Sequence, residues 1–386
     1  MVSERARDTT SFAVMDVLER ANELEARGRD VVHLEVGEPE FEPPARVVDA
    51  AVDSLRAGDT GYTATRGKPA LLRAIADYYD RTYGVDVPTD RIVVTPGSSP
   101  ALLLACLAVL DPGDETLLTD PHYAPYPNFV RQAEGRVRRV RLDVDDGFAP
   151  RLDRFAAALE ASPAATLLNS PANPTGTVIG GDALRELVEL ADASGTTVIS
   201  DEIYHGLDFD AEARSVLEFT DDAFVTDGFS KRFGMTGWRL GWAVVPDAYV
   251  DAVTRLAQNL FICAPSFVQD AGVAALRGST EHLAAVRETY RRRRDVLVEA
   301  VESWGLDLGY VPGGAYYLLV DVSGLPGDAL DAAELALEEA GVALTPGGDF
   351  GPAAADYLRL SYANTTARIR EADARMGELL DAYGVR

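Results

Sequence analysis

The sequence predicts an α/β fold: a large domain on a mainly parallel seven-stranded sheet covered by helices, with a smaller α+β domain beside it. Three observations point there. Seven short apolar runs recur between residues 92 and 245, several of them separated by amphipathic segments. Beyond residue 282 this rhythm gives way to a long helical stretch and then mixed strands and helices. At 386 residues the chain has room for about two domains and a core that needs no staples.

Taken in order, Ser11 to Arg27 carries Phe12, Met15, Leu18 and Leu24 near one helical face. Val31–Val36 reads as a short extended run that stops at Gly37-Glu-Pro-Glu-Phe41. The strands of the sheet are read at Ile92–Thr95, Thr116–Thr119, Val137–Leu142, Ala165–Leu168, Thr197–Ser200, Ala223–Thr226 and Leu240–Val245. Ala101–Leu110 is an apolar helix and Gly181–Ser194 an amphipathic one. A helix over Leu283–Trp304 carries Arg291–Arg294, read as a solvated face paired with surrounding acids. After it come Gly314–Val320, an acidic helix near Ala329–Ala340, Val342–Leu344 and the strand Tyr357–Tyr362. The opening helix is expected to pack with this last group. That gives a large domain over 37–282 and a discontinuous small domain from 1–36 and 283–386.

Charge narrows the partners. The chain has 62 acidic and 36 basic residues, a net of −26, which repels phosphate backbones and anionic lipid. Nucleic acid and membrane surfaces are therefore excluded as expected partners. The acids are scattered through helical segments, which suits a halophilic surface: in molar salt the Debye length falls to about 3 Å. A high-GC genome would also favour arginine over lysine. The two cysteines, Cys106 and Cys263, lie in apolar segments and suggest neither a disulfide framework nor a metal cluster. The first ten residues have no apolar signal core, and Ala101–Leu110 is too short to span a bilayer, so a soluble cytoplasmic protein is expected.

Of the 36 basic residues only Lys68 and Lys231 are lysines. Arginine carries surface charge equally well but stays protonated, so it cannot serve as a nucleophilic amine. Lys231 lies in Gly228-Phe-Ser-Lys-Arg-Phe-Gly-Met-Thr-Gly-Trp-Arg239, whereas Lys68 has no motif around it and reads as a surface residue. Two further motifs follow predicted strands, Asn173-Pro-Thr-Gly176 and Asp201-Glu-Ile-Tyr204. Singly, an acid after a strand is usually a helix cap, and a Pro-Gly segment a turn. Together they fall along one edge of one sheet, where parallel sheets bind ligands.

With these motifs the chain resembles the class I/II aminotransferases, pyridoxal-phosphate enzymes of the aspartate-aminotransferase fold (fold type I). The resemblance runs from Gly37-Glu-Pro-Glu-Phe41 to Leu358-Arg-Leu-Ser-Tyr-Ala363. It implies that Lys231 forms the internal Schiff base with pyridoxal 5'-phosphate and then shuttles the substrate α-proton. It further implies that Asp201 pairs with the pyridine nitrogen, and that Tyr204 and Asn173 bond the ring hydroxyl. Tyr123 would stack on the ring. Gly97-Ser98-Ser99-Pro100, at the start of an apolar helix, and Arg239 would hold the phosphate. Tyr62 would reach that phosphate from a partner subunit, making a homodimer with shared sites. Arg359 would clamp the substrate α-carboxylate in a bidentate pair, helped by the backbone of Gly37.

Two positions depart from the family pattern. Gly228 stands where a serine often supports the phosphate, and Ser230 is a candidate replacement. Ser99 stands where some relatives acting on dicarboxylates carry a basic residue. The implied activity is transfer of an amino group from an L-amino acid to a 2-oxo acid, such as 2-oxoglutarate. A carbon–sulfur β-lyase would keep the same residues, and a ligand sensor without turnover is the remaining alternative.

Overall fold

The computed structural model describes residues 2–278, 280–306, 308–325 and 327–384; positions 1, 307, 326, 385 and 386 of the expected small domain lie outside them. The central sheet has seven strands: β1 (Ile92–Thr95), β2 (Glu115–Asp120), β3 (Arg136–Arg141), β4 (Ala165–Asn169), β5 (Thr197–Asp201), β6 (Phe224–Gly228) and β7 (Gly241–Val244). Each falls on one of the seven apolar runs. They are ordered β1-β7-β6-β5-β4-β2-β3, and only β7 runs antiparallel to its neighbours.

The inner strand β7, Gly-Trp-Ala-Val, is buried throughout, which is why it reads as an unbroken apolar run. The edge strand β3 carries four arginines and two valines, and such charge blunts an open edge. The helix Ser98–Val109 is apolar on all sides because it lies buried against one face of the sheet, with Leu104 and Cys106 inaccessible. Helix Gly181–Ala193 covers the other face with Leu184, Leu187, Val188 and Ala191, a stripe at i, i+3, i+4 and i+7.

Beyond it, strand Tyr357–Ser361 pairs antiparallel with Tyr317–Asp321 and with Thr345–Pro346. Val32–His33 pairs with Val342–Ala343, which stitches the start of the chain to its end. The long helix Thr280–Ser303 helps close a separate core around Trp304, Tyr316 and Leu360.

Four expectations need correction. The run at 31–36 forms only the two-residue strand Val32–His33. The opening helix, Ala13–Ala26, buries Val14, Ala21 and Leu24, while Met15 is 52% exposed. The true stripe is offset by one residue because Val14, rather than Met15, keeps helical step with Ala21 and Leu24. Lys68 is no free surface residue: its amine lies 2.5 Å from Asp59 and 2.8 Å from Asp270. Arg291–Arg294 do pair with acids, yet Arg293 and Arg294 are buried, held by Glu40 and by Asp210 and Asp295.

Candidate active site

The register of the sheet sets the floor of the site. Asn169 and Asp201 stand opposite one another as the last residues of β4 and β5, and Thr226 stands opposite Asp201 on β6. Asp201 is 3% exposed, and burial pushes its carboxyl up to about 6. Hydrogen bonds oppose that shift. Tyr126 donates its hydroxyl to Oδ2 at 2.8 Å, while the Ile203 amide and the Thr226 hydroxyl each donate to Oδ1 at 3.3 Å. Asn169 ties the floor to the next loop, donating to the Asp201 carbonyl and accepting from the Asn173 amide, both at 2.8 Å.

Lys231 follows β6. Its Nζ donates to the Gly37 carbonyl at 2.9 Å and lies 5.9 Å from the ring centres of Tyr204 and Tyr316. Tyr316 donates to the same carbonyl at 3.0 Å. Only glycine fits at position 37, since a Cβ there would sit 1.5 Å from the Tyr317 hydroxyl. That hydroxyl meets the Tyr204 hydroxyl at 3.2 Å.

A cradle for an anion lies beside the amine. Ser98, Ser99 and Ser230 line it, and helix Ser98–Val109 presents its free amides there. Arg239 has a left-handed backbone (φ 54°) and donates to the Thr236 carbonyl at 2.7 Å. A side chain at Gly97 would meet its guanidinium at 2.4 Å.

Arg359 is buried on the opposite side. It donates to Asn173 Oδ1 at 3.0 Å and to the Glu35 carbonyl, and its guanidinium stacks 4.4 Å from the Tyr317 ring centre. Its Nε is buried without a hydrogen-bond partner among the described residues.

Lys231, Asp201, Tyr204, Asn173, Tyr123, Ser98, Ser99, Ser230, Arg239, Gly37 and Arg359 thus all line one cavity of about 230 Å³. Tyr62 does not line it and is 84% exposed. Gly228 is structural, because a Cβ there would press to 3.0 Å on the Leu240 carbonyl. A larger apolar cavity, about 310 Å³ around Trp304 and Met376, lies in the other core and lacks this convergence of polar groups.

Sequence reasoning missed Tyr126, Asn169 and Tyr317, and the apolar wall of Phe12, Val14, Met15 and Val36. Asn169 had a signal: it ends β4 as Asp201 ends β5. Tyr317 had none, since its place depends on a long-range pairing.

The sequence pattern of aminotransferase class I and II matches residues 29–375. The chain belongs to this family. Over 99% of its length it is 37% identical to the whole of a (5-formylfuran-3-yl)methyl phosphate transaminase of Methanocaldococcus jannaschii. An aspartate/prephenate aminotransferase of Thermus thermophilus is also 37% identical, over 98% of both chains. The solved Thermus thermophilus aspartate aminotransferase with maleate superposes with a TM-score of 0.94 at 36% identity, covering 98% of this chain and 99% of that one. The protein is therefore an aminotransferase of the aspartate-aminotransferase fold. The family depends in general on pyridoxal phosphate and acts on amino acids and 2-oxo acids.

Proposed function

We propose that this cavity holds pyridoxal 5'-phosphate, bound covalently through Lys231, and moves an amino group from an L-amino acid to a 2-oxo acid. One observation carries the reading. Lys231, Arg239 and Arg359 converge on the cavity, and among the described residues none of them forms an ion pair. In a chain of net charge −26, cations left without carboxylates mark a place kept for anionic ligands.

The residues fit the cofactor. When bound, it supplies an electron sink for the pair left behind as the substrate α-proton departs. Arg239, the serines and the helix amides suit its phosphate, while the buried Asp201 carboxylate holds a proton at its ring nitrogen. Tyr204 and Asn173 offer polar atoms at its ring hydroxyl, and Tyr123 an aromatic face. Arg359 grips the substrate carboxylate and so aims the α-hydrogen at Lys231, whose amine takes that proton and returns it.

Residues 37–282 are the large domain of this reading, and 1–36 with 283–386 the small one that closes over the site. The active species is a homodimer in which Tyr62 completes the partner's phosphate site. Two free cysteines suit a cytoplasmic location.

The test is borohydride reduction of the holoenzyme followed by peptide mapping. It should place the pyridoxyl group on Lys231; finding it on Lys68, or nowhere, removes the reading. Lys231→Arg should abolish turnover. A transaminase forms one keto acid per amino group transferred and needs an acceptor, whereas a lyase releases ammonia without one and a sensor makes neither product.

A further inference from the structure

We infer that this site takes amino acids with apolar, uncharged side chains and hands the amino group to a monocarboxylic 2-oxo acid. The inference rests on the transaminase reading of the same cavity. Its three cations are then committed: Lys231 to the cofactor, Arg239 to the phosphate and Arg359 to the α-carboxylate. Among the described residues no fourth cation lines the cavity.

What remains for a substrate side chain is an apolar wall. Phe12, Val14 and Met15 come from the start of the opening helix, and Val36 from the segment before Gly37. Phe12 stands edge-on to Tyr123, with ring centres 6.1 Å apart, so the wall continues from the aromatic face expected for the cofactor. The side chains bonded next to this wall and to the cavity rim are acids. Asp349 accepts from the Ala13 amide at 3.1 Å, and Glu38 accepts from the cavity-lining Thr236 at 2.5 Å. A second substrate carboxylate would lose its water against Phe12 and Val14 and find no uncommitted cation among the described lining residues. An isobutyl or benzyl group gains from the same burial.

The two half-reactions share one cavity. In the first the donor's C–N bond breaks, water supplies the oxygen of the 2-oxo acid that leaves, and the amino group with its electron pair would stay with the bound cofactor to be handed to the acceptor. In the second the acceptor's carbonyl oxygen leaves as water and a new C–N bond forms, so no outside oxidant is needed. The acceptor therefore meets the same wall. Pyruvate or a longer apolar 2-oxo acid fits it, and 2-oxoglutarate, expected from the sequence, does not.

The experiment measures each half-reaction by cofactor absorbance in the holoenzyme. The donors are leucine, phenylalanine, aspartate, glutamate and arginine; the acceptors are pyruvate and 2-oxoglutarate. Calorimetry of 4-methylpentanoate and glutarate binding gives a readout independent of turnover. Leucine and phenylalanine should exceed aspartate and glutamate by about a hundred-fold in kcat/KM, and 4-methylpentanoate should bind more tightly than glutarate. Met15→Arg, at an exposed position on the rim, should raise glutamate relative to leucine about ten-fold or more. Equal or faster reaction with the dicarboxylates, or with arginine, overturns the inference and leaves the transaminase reading intact. Silence with every donor overturns the transaminase reading itself.

Discussion

Tyr126 donates its hydroxyl to Asp201 Oδ2 across 2.8 Å, and both side chains are buried. Burial alone favours the neutral acid at position 201, and a neutral acid cannot stabilise a protonated ring nitrogen. The phenol favours the anion, as do the Ile203 amide and the Thr226 hydroxyl. Tyr126 is thus a positioning residue whose work is electrostatic.

Tyr126→Phe removes that donor with little change of shape. The Asp201 carboxyl should then rise further, moving the acidic limb of the pH–rate profile to higher pH. A hydrogen bond to a charged group contributes about 1.5–3 kcal/mol, so turnover near neutral pH should fall about ten-fold or more. Cofactor content should stay near one per chain. An unmoved acidic limb would show that Tyr126 only fills space. Asp201→Asn should keep the cofactor and lose more, about a hundred-fold or beyond.

Gly37→Ala tests the close approach between Gly37 and Tyr317. The added methyl would overlap the Tyr317 hydroxyl, so the ring must leave both Tyr204 and Arg359. Overpacking of this kind costs about 1–3 kcal/mol, readable as a lower Tm. Substrate affinity should weaken as well, because Tyr317 stacks on the carboxylate clamp. Wild-type Tm and KM together would place Gly37 outside the site.

How much of this was legible beforehand follows from which forces were local. The seven sheet strands were, because a strand buried on both faces is mostly apolar, as in Gly241–Val244. So was the gathering of Asn173, Asp201 and Lys231, since each follows a strand at the same sheet edge. Met15 was misread because helical spacing leaves a stripe uncertain by one residue. Lys68, Arg293 and Arg294 were misread because their partners Asp270, Glu40 and Asp210 are distant in sequence. Tyr317 reaches the site only through the register that sets Arg359 opposite Leu319.

Glu202, next to Asp201 in sequence, gives stability a pH dependence. Burial pushes its carboxyl up to about 8, with the charge of Asp227 adding to the shift. The folded chain therefore binds a proton that the unfolded chain has released between about pH 4.5 and 8, so this contribution is full below that window and lost as pH rises through it. Each pH unit within the window is worth about 1.4 kcal/mol. Ser200, Ser215 and the Val216 amide all donate to Oε1, an atom that glutamine retains. Glu202→Gln should hence narrow the gap in Tm between pH 5.5 and 8.5. A gap as wide as in the wild type would assign the pH dependence elsewhere.

The last expectation joins assembly to salt. Tyr62 is 84% exposed and lies away from the cavity of its own chain, as suits a residue that serves a partner's phosphate. If it does, a monomer is inactive and Tyr62→Phe weakens cofactor retention. Two chains of net charge −26 repel one another most where screening is weak. The penalty falls as the Debye length shrinks from about 10 Å at 0.1 M to about 3 Å at 1 M salt. Light scattering and activity followed together across a salt series should therefore show dimer and turnover rising in step. A fully active dimer in dilute buffer would refute the halophilic reading and spare the site. An active monomer would leave Tyr62 without a role, and the phosphate cradle would then have to be complete within one chain.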